Sequence, residues 1–259
     1  KWTQLAMNSR PAYNEYGYDA ADELISVTQA VSNTAGSLNA LLHKYKYDDA
    51  GNRTLEQTSS STVISEYNEL NQLTRQWGTD SLLGKGGILP GGRKNSVNNA
   101  LTYDDNGNMT SASTPGVNYE WDAADRLVRI TQGADVTEFA YDGLSRRVAE
   151  KLNGTVIRRW LWDGTELIEE RNADGGGVNK RFFPQGEQID GVNYYFTRDH
   201  LGSIREMTDS GGVVRARYEY DPYGRRTKVA GDKDADFGFT GHYYHSSSGL
   251  YLAIYRAYD

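Results

Sequence analysis

The sequence has no cysteine, and it has only 5 prolines and 6 phenylalanines among its 259 residues. Without cysteine, the chain forms neither disulfide bonds nor thiolate metal sites. It also lacks any apolar run near the roughly 20 residues that a membrane-spanning helix needs. The longest such run, residues 250–255, has only the length of a strand. These absences predict a protein without a membrane span and without a metal site built on cysteine.

Positive charge is also in short supply. The chain has 28 Lys and Arg against 35 Asp and Glu, which gives a net charge of -7 and a sequence pI near 5.2. Because neutralising phosphates requires clustered Lys and Arg, we expect no nucleic-acid partner. The mean hydropathy of -0.71 is low for a chain long enough to bury a core.

Tyrosine and glycine are plentiful, with 19 and 28 copies. Tyrosine favours strands, and its ring combines an apolar body with a polar tip. Glycine favours turns. This composition predicts many short strands joined by many turns.

A short phrase recurs along the chain, in which an aromatic residue is followed by Asp and a turn, most often at steps near 20 residues. Tyr67 and Asn68 form a softened copy, and Asp199 marks a hidden one. The full copies are Tyr18 and Asp19, Tyr47 and Asp48, Tyr103 and Asp104, Trp121 and Asp122, Tyr141 and Asp142, Trp162 and Asp163, and Tyr220 and Asp221.

Turn residues follow each phrase, and period-2 alternation flanks it, as in residues 213–220. Such alternation is typical of half-buried antiparallel strands. We therefore predict an all-β fold of tandem antiparallel hairpins, in which the repeated aromatic residue packs between repeats. The repeated Asp is expected to bond the amides of its own turn. A single hairpin is marginal in water, so each repeat needs its neighbours for stability.

These phrases resemble the YD repeat of Rhs proteins and teneurins, and the last sixty residues resemble the Rhs-associated core in the order of their motifs. Residues 47–53 carry the repeat resemblance. The core resemblance is carried by Asp199, His200 and Gly202 within residues 198–203, by Tyr220, Asp221, Pro222, Gly224 and Arg225, and by residues 239–242, 248–251 and 255–259.

The resemblance implies a β-strip that spirals into a hollow, cocoon-like shell, which in bacterial members encloses a C-terminal toxin. In many members the core ends in a D-P-x-x-G-R type segment that closes the shell and cuts the toxin free. The sequence stops at Asp259, where that segment is expected to begin. We therefore interpret the chain as a fragment: residues 1–197 form the repeat array, with a Gly-rich inserted loop at 82–99, and residues 198–259 form the end of the core.

Catalytic and metal-binding alternatives are weaker. His200 beside Asp199 could suggest a general base, but adjacent residues of a strand point to opposite faces, so a structural role is favoured. A metal cluster could be imagined from Asp232, Asp234 and Asp236 with His242 and His245. The three aspartates have calcium-loop spacing, but the required glycine and closing carboxylate are replaced by Phe237 and Tyr243. We predict no catalytic residue, metal or cofactor.

The first functional hypothesis is a structural one, in which the chain is part of a shell around a toxin. Its partners are then the remainder of its own shell, the enclosed toxin and a secretion-system or surface-receptor partner, and the protein is secreted or lies at the bacterial cell surface. Unpaired strand edges predict self-association of the isolated chain. The second hypothesis is a cell-surface adhesion or carbohydrate-binding module that uses exposed aromatic residues such as Trp121. An enzyme in its own right ranks last.

Overall fold

The computed structural model describes residues 2–5, 11–32, 38–58, 61–78 and 97–258. Within these ranges the regular structure consists of 24 β-strands and one short 3₁₀ turn, Phe239–Gly241. The predicted all-β class is confirmed. Of the predicted Gly-rich loop, residues 82–96 lie outside the described ranges, and residues 97–99 belong to a strand. None of the described residues forms a helix with the length and apolar character that crossing a membrane requires.

The strands follow one another along the chain with short turns between most of them. In chain order they are β1 (Trp2–Leu5), β2 (Pro11–Tyr18), β3 (Leu24–Ser32), β4 (Leu38–Tyr47), β5 (Arg53–Gln57), β6 (Thr62–Tyr67), β7 (Leu73–Gly78), β8 (Val97–Tyr103), β9 (Met109–Ala112), β10 (Val117–Trp121), β11 (Leu127–Gln132), β12 (Asp135–Tyr141), β13 (Arg147–Leu152), β14 (Thr155–Asp163), β15 (Glu166–Arg171), β16 (Val178–Phe183), β17 (Gly186–Ile189), β18 (Val192–Arg198), β19 (Ile204–Asp209), β20 (Val214–Tyr220), β21 (Arg226–Ala230), β22 (Tyr243–Tyr244), β23 (Tyr251–Leu252) and β24 (Ala257–Tyr258).

Two compact units, residues 1–118 and 119–259, divide the chain within β10. In the first unit, each strand from β1 to β9 pairs antiparallel with the next strand along the chain. In the second unit, the strands from β11 to β21 do the same. The fold is therefore a tandem series of antiparallel hairpins. The predicted division at residue 197 separates two sequence regions and stays a prediction.

Alternation along the strands determines which side chains form the core of the second unit. In β20, Ala216 and Tyr218 are buried, whereas Glu219 between two tyrosines is exposed. Ile204 and Met207 on β19 have no exposed surface, and they cluster with Ala216 and Tyr218. Apolar burial at these positions fixes the register of the strands, because a slip by one residue would turn the apolar set to the other face.

The C-terminal segment, residues 231–258, folds back over one face of this sheet. It contains the small sheet of β22, β23 and β24. Phe237 packs edge-on against Phe182, with ring centroids 5.1 Å apart, and Tyr243 packs against Trp160 at 5.8 Å. The segment therefore supplies the second apolar layer that the sheet needs.

We expect Ile204→Ala to lower the free energy of unfolding by about 2–5 kcal/mol, since it leaves a cavity in a fully buried site. Leu144→Ala is the matched control, because Leu144 is 64% exposed in a turn, and its effect should stay within about 0.5 kcal/mol. Urea unfolding followed by circular dichroism measures both. Equal effects of the two substitutions would contradict the burial of Ile204 in the core of the second unit.

Candidate functional site

The turn after β12 shows how the repeated aspartate works. Asp142 Oδ1 accepts hydrogen bonds from the backbone amides of Leu144 at 2.9 Å and Arg146 at 3.0 Å. The backbone of Ser145 is left-handed, with a φ of 61°. This arrangement is a type I turn followed by a left-handed residue, one of the common ways to close a hairpin. A single carboxylate oxygen thus satisfies two amides that the strands leave unpaired.

The same pattern, with bonds to the amides two and four residues later, recurs in nine turns of the described part of the chain. The residue three positions after the acceptor is always left-handed, with φ between 56° at Asp125 and 96° at Gly224. The acceptors are Asp19, Asp48, Asn68, Asp104, Asp122, Asp142, Asp199, Asp209 and Asp221.

Two positions depart from the sequence pattern. Asp209 forms the complete turn but lies outside the aromatic-Asp pattern, because Thr208 precedes it. Asp163 has the right sequence but ends β14 and pairs with Glu166 across a two-residue turn, so it does not bond its turn amides. The signal that would have found Asp209 is an Asp followed three residues later by Gly, without regard to the residue before it.

The remaining predicted motif residues lie in or beside these turns. His200 and Gly202 belong to the exposed turn that Asp199 closes. Pro222, Gly224 and Arg225 belong to the turn of Asp221, and Tyr18 and Trp121 are the last residues of β2 and β10. At Gly224, a Cβ would lie 2.6 Å from the ring of Phe239. Glycine is therefore needed there both for its left-handed backbone and for the packing of the C-terminal segment.

The second carboxylate oxygen of several motif aspartates bonds a side chain four residues later. Arg126 donates through Nε to Asp122 Oδ2 at 2.7 Å, and Arg146 donates to Asp142 Oδ2 at 2.8 Å. The bond from Arg146 and the turn amides hold the pKa of Asp142 below its usual value. Arg146 also donates to the carbonyl of Gly164 at 2.8 Å, so the ion pair links one turn to the next.

The repeated aromatic residue makes a regular contact of its own. The hydroxyl of Tyr141 donates at 2.7 Å to the carbonyl of Leu127, which follows the preceding turn on the same side of the sheet. In every case the accepting carbonyl lies five residues after the Asp or Asn of that preceding turn. The equivalent bonds join Tyr47 to Leu24, Tyr67 to Arg53, Tyr103 to Leu73, Trp162 to Arg147 and Tyr220 to Ile204. These six motif aromatics therefore connect successive hairpins by hydrogen bonds as well as by packing.

We expect Tyr141→Phe to lower the free energy of unfolding by about 1 kcal/mol, because it removes one half-buried hydrogen bond and keeps the ring. Tyr195→Phe is the control, since Tyr195 is 46% exposed. Chemical denaturation of both variants measures the difference. A loss as large in the control would show that the bond to Leu127 has no special role.

Beneath the C-terminal segment lies a second, unpredicted arrangement, which we term the charged row: Glu150, Arg158, Glu170, Lys180 and Glu187. Five consecutive strands, β13 to β17, contribute one residue each, and acidic and basic residues alternate. Glu150 lies opposite Arg158 in register, and Glu170 lies opposite Lys180. The three glutamates are buried, which is rare for ionisable residues unless they are paired.

Ion pairs join the middle of the charged row. Arg158 Nε lies 3.1 Å from Glu150 Oε2, and Arg158 Nη1 lies 3.2 Å from Glu170 Oε2. The pair with Glu150 lacks the alignment of a hydrogen bond. Lys180 Nζ lies 4.0 Å from Glu170. One arginine thus bridges two buried carboxylates, as charges removed from water require.

The C-terminal segment completes the charged row with three side chains. Asp236 accepts from Lys180 Nζ at 2.7 Å, and the hydroxyl of Tyr243 donates to Glu170 at 3.4 Å. His245 Nε2 lies 3.1 Å from Glu150 Oε1, while its Nδ1 contacts Ser248 Oγ at 2.7 Å. The charged row therefore joins the sheet to the segment that covers it.

Burial and neighbouring charge act against each other on the pKa values here. Burial by itself lowers the pKa of Lys180, but the carboxylates of Asp236 and Glu170 outweigh it and raise the pKa. Burial, followed by the negative charge of Asp236, raises the pKa of Glu187 to about 9. Lys180 is thus held charged, and Glu187 is held protonated near neutral pH.

The sequence alternatives for a metal site are not supported by the geometry. Asp232 pairs with Arg215 at 2.8 Å, Asp234 pairs with Lys228 at 3.1 Å, and Asp236 pairs with Lys180. The described residues contain no group of three or more His, Asp or Glu side chains that could hold a metal ion. These aspartates stabilise the hairpins and the C-terminal segment instead.

We expect Arg158→Met to lower the free energy of unfolding by about 3–5 kcal/mol, because it leaves Glu150 and Glu170 buried without their shared cation. Arg129→Met is the control. Arg129 also bridges two glutamates, Glu120 and Glu138, but it is 40% exposed on its side chain, so its loss should cost about 0–1 kcal/mol. Thermal unfolding of both variants tests the ranking, and a reversed order would contradict it.

Comparison with known proteins gives consistent similarities. The tRNA nuclease WapA of Bacillus subtilis is 30% identical over 234 residues, an alignment that covers 83% of this chain and 9% of that protein. The double-stranded DNA deaminase toxin A of Burkholderia cenocepacia is 25% identical over 311 residues, covering 98% of this chain and 20% of that protein. The chain therefore spans a fifth or less of these relatives.

Solved structures that the chain matches at low identity include the Photorhabdus luminescens Tc holotoxin pore, with a TM-score of 0.42 and 17% identity over 96% of this chain and 16% of that one. Another is the TcdB2-TccC3 crystal structure, with a TM-score of 0.42 and 16% identity over 96% of this chain and 17% of that one. The sequence model of the teneurin YD-shell family matches residues 1–259. Since this match extends over the whole length of the sequence, the chain belongs to the teneurin YD-shell family.

Proposed function

We propose that this chain is a stretch of the wall of a YD shell that encloses a toxin, and that it has no catalytic role of its own. The observation that carries the proposal is the family match over residues 1–259. The names of relatives add support, since they describe a tRNA nuclease and a DNA deaminase toxin. Because the chain spans 9% and 20% of those proteins, their activities are not carried over to it.

The construction of the hairpins suits a wall. Strands β1 to β10 and strands β11 to β21 pair with their neighbours in sequence. Six motif aromatics of the described chain also donate to a carbonyl that follows the turn of the preceding repeat. Such an array is stabilised by nearest-neighbour contacts and extends by adding repeats. A wall of this kind protects by steric exclusion, since it keeps an enclosed enzyme from its targets and from proteases.

Residues that could suggest catalysis have structural partners instead. The Asp199 carboxylate accepts two amides of its own turn, at 3.0 and 2.9 Å. His242 Nδ1 contacts Thr240 Oγ1 at 2.6 Å, and His245 contacts Glu150 and Ser248. These contacts support a structural role for the chain.

The proposal also specifies partners and location. The partners are the remainder of the shell, whose strands would continue the hairpin series, and the enclosed toxin. The complete protein would be secreted or lie at a bacterial cell surface and be delivered by a secretion system, and its further partner would be a secretion-system component or a surface receptor. In isolation the chain would self-associate through unpaired strand edges. No described contact favours the carbohydrate-binding alternative, because every motif aromatic except the exposed Tyr18 is half-buried, and six of them use their polar tips within the sheet.

Protease protection of the enclosed domain in the complete natural protein tests the proposal. In wild type, we expect the toxin domain to resist protease for as long as the shell is folded. Ile204→Ala should make the same domain cleavable at a lower urea concentration, because the wall unfolds earlier.

Leu144→Ala is the control and should leave the protection unchanged. The proposal fails if the toxin domain in the native wild-type protein is cut as fast as the same domain expressed alone. It also fails if Ile204→Ala lowers the stability of the wall without changing the urea concentration at which the domain becomes cleavable.

A further inference from the structure

Glu187 differs from the two other glutamates of the charged row, because it forms no ion pair with a basic residue of the row. It lies on β17 beneath the C-terminal segment and is only 1% exposed. Its Oε1 atom has no hydrogen-bond partner in the described part of the chain. Its Oε2 atom accepts a long bond, 3.4 Å, from the backbone amide of Asp236 in the C-terminal segment.

The groups around Glu187 compensate its charge only in part, through Lys180. Lys180 on β16 places Nζ 2.7 and 2.8 Å from the two carboxylate oxygens of Asp236, so the lysine is committed to that residue. Glu170 on β15 shares the same lysine at 4.0 Å. Tyr194 on β18 lies opposite Glu187 in register and adds no positive charge. An ionised Glu187 would therefore be a buried anion beside the Asp236 anion, which is strongly unfavourable.

Release of the C-terminal segment would remove the repulsion between the carboxylates of Glu187 and Asp236. Asp236 and the apolar cover belong to that segment, so an open segment leaves Glu187 on a solvated sheet face, where ionisation is easy. The closed state thus requires a proton on Glu187, and the open state does not. We propose that Glu187 is a proton-controlled latch, which holds the C-terminal segment on the sheet while it is protonated and loosens the segment when it ionises.

The direction of the pH dependence follows from the two states. The pKa of Glu187 is about 9 in the closed state, and its ordinary value is 4.5. Because the closed state has the raised pKa, the contribution of Glu187 to docking is fully present below pH 4.5 and is lost as pH rises towards 9. Between these values, the opening constant should rise about tenfold per pH unit, since opening releases one proton.

Opening would expose a defined apolar surface. A cleft between the sheet and the segment, partly open to solvent, has a volume of about 960 Å³, with Trp162 and Phe182 on the sheet side and Tyr243, Leu252 and Ile254 on the segment side. Phe237 would leave Phe182 at the same time. The latch therefore controls whether this face of the sheet is covered, and it does so whether or not the shell encloses a toxin.

Hydrogen–deuterium exchange of the whole chain, measured by mass spectrometry from about pH 6 to about pH 9 and corrected for intrinsic exchange, tests the latch. In wild type, peptides from residues 233–252 should show an opening constant that rises about tenfold per pH unit. In Glu187→Gln, which keeps the side-chain volume and cannot ionise, the opening constant should be independent of pH. Glu138→Gln, which alters an ion pair with Arg129, should keep the wild-type slope.

Three results would overturn the proposal. These are a flat pH profile in wild type, a wild-type slope retained in Glu187→Gln, and exchange of residues 233–252 only together with the strands beneath them. Infrared difference spectroscopy between wild type and Glu187→Gln gives a second readout that does not depend on opening. The absence of a protonated carboxyl band in wild type at neutral pH, assigned by its loss in the variant, would also overturn it.

Discussion

The nine motif turns each depend on one side-chain oxygen that accepts two backbone amides of its own turn. These two hydrogen bonds stabilise a turn with a left-handed residue at its fourth position, and such a turn joins antiparallel strands with their natural twist. Asn68 does the same with an amide oxygen, so the acceptor geometry matters more than the charge. Where these hydrogen bonds are missing, as at Asp163, a two-residue turn joins the strands instead. The turns thereby help to fix the register of the strands that they join.

The hydrogen bonds of the motif aromatics carry this local order from one repeat to the next. The hydroxyl of Tyr220 reaches the carbonyl of Ile204, and Ile204 itself belongs to the buried cluster. The polar tip and the apolar body of the residue therefore act on the same pair of hairpins. This explains why tyrosine and tryptophan occupy the aromatic position before the motif Asp, since phenylalanine would supply only the packing.

The charged row joins the sheet to the C-terminal segment, whereas the turns and the motif aromatics act within the sheet. Its cations neutralise buried carboxylates on neighbouring strands, but Glu187 at its end is left without one. Pairing of this kind adds little net stability compared with apolar residues, and breaking it is costly. The effect of the charged row is therefore to make the docking of the C-terminal segment depend on the charge of residues such as Glu187. Apolar contacts such as Phe182 with Phe237 would hold the segment equally at every pH.

The sequence by itself determined the all-β class, the antiparallel hairpins and most of the turns, because these depend on residues within one repeat. Asp142 and its left-handed Ser145 are three positions apart, so their relation is visible in the sequence. The bonds of the aromatic residues and the charged row were decided only by the tertiary structure. Glu187 and Asp236 are 49 residues apart, and nothing in their local sequence distinguishes them from solvent-exposed acids. Their proximity arises because the C-terminal segment returns over the sheet, where loss of water makes an ordinary carboxyl dependent on its proton.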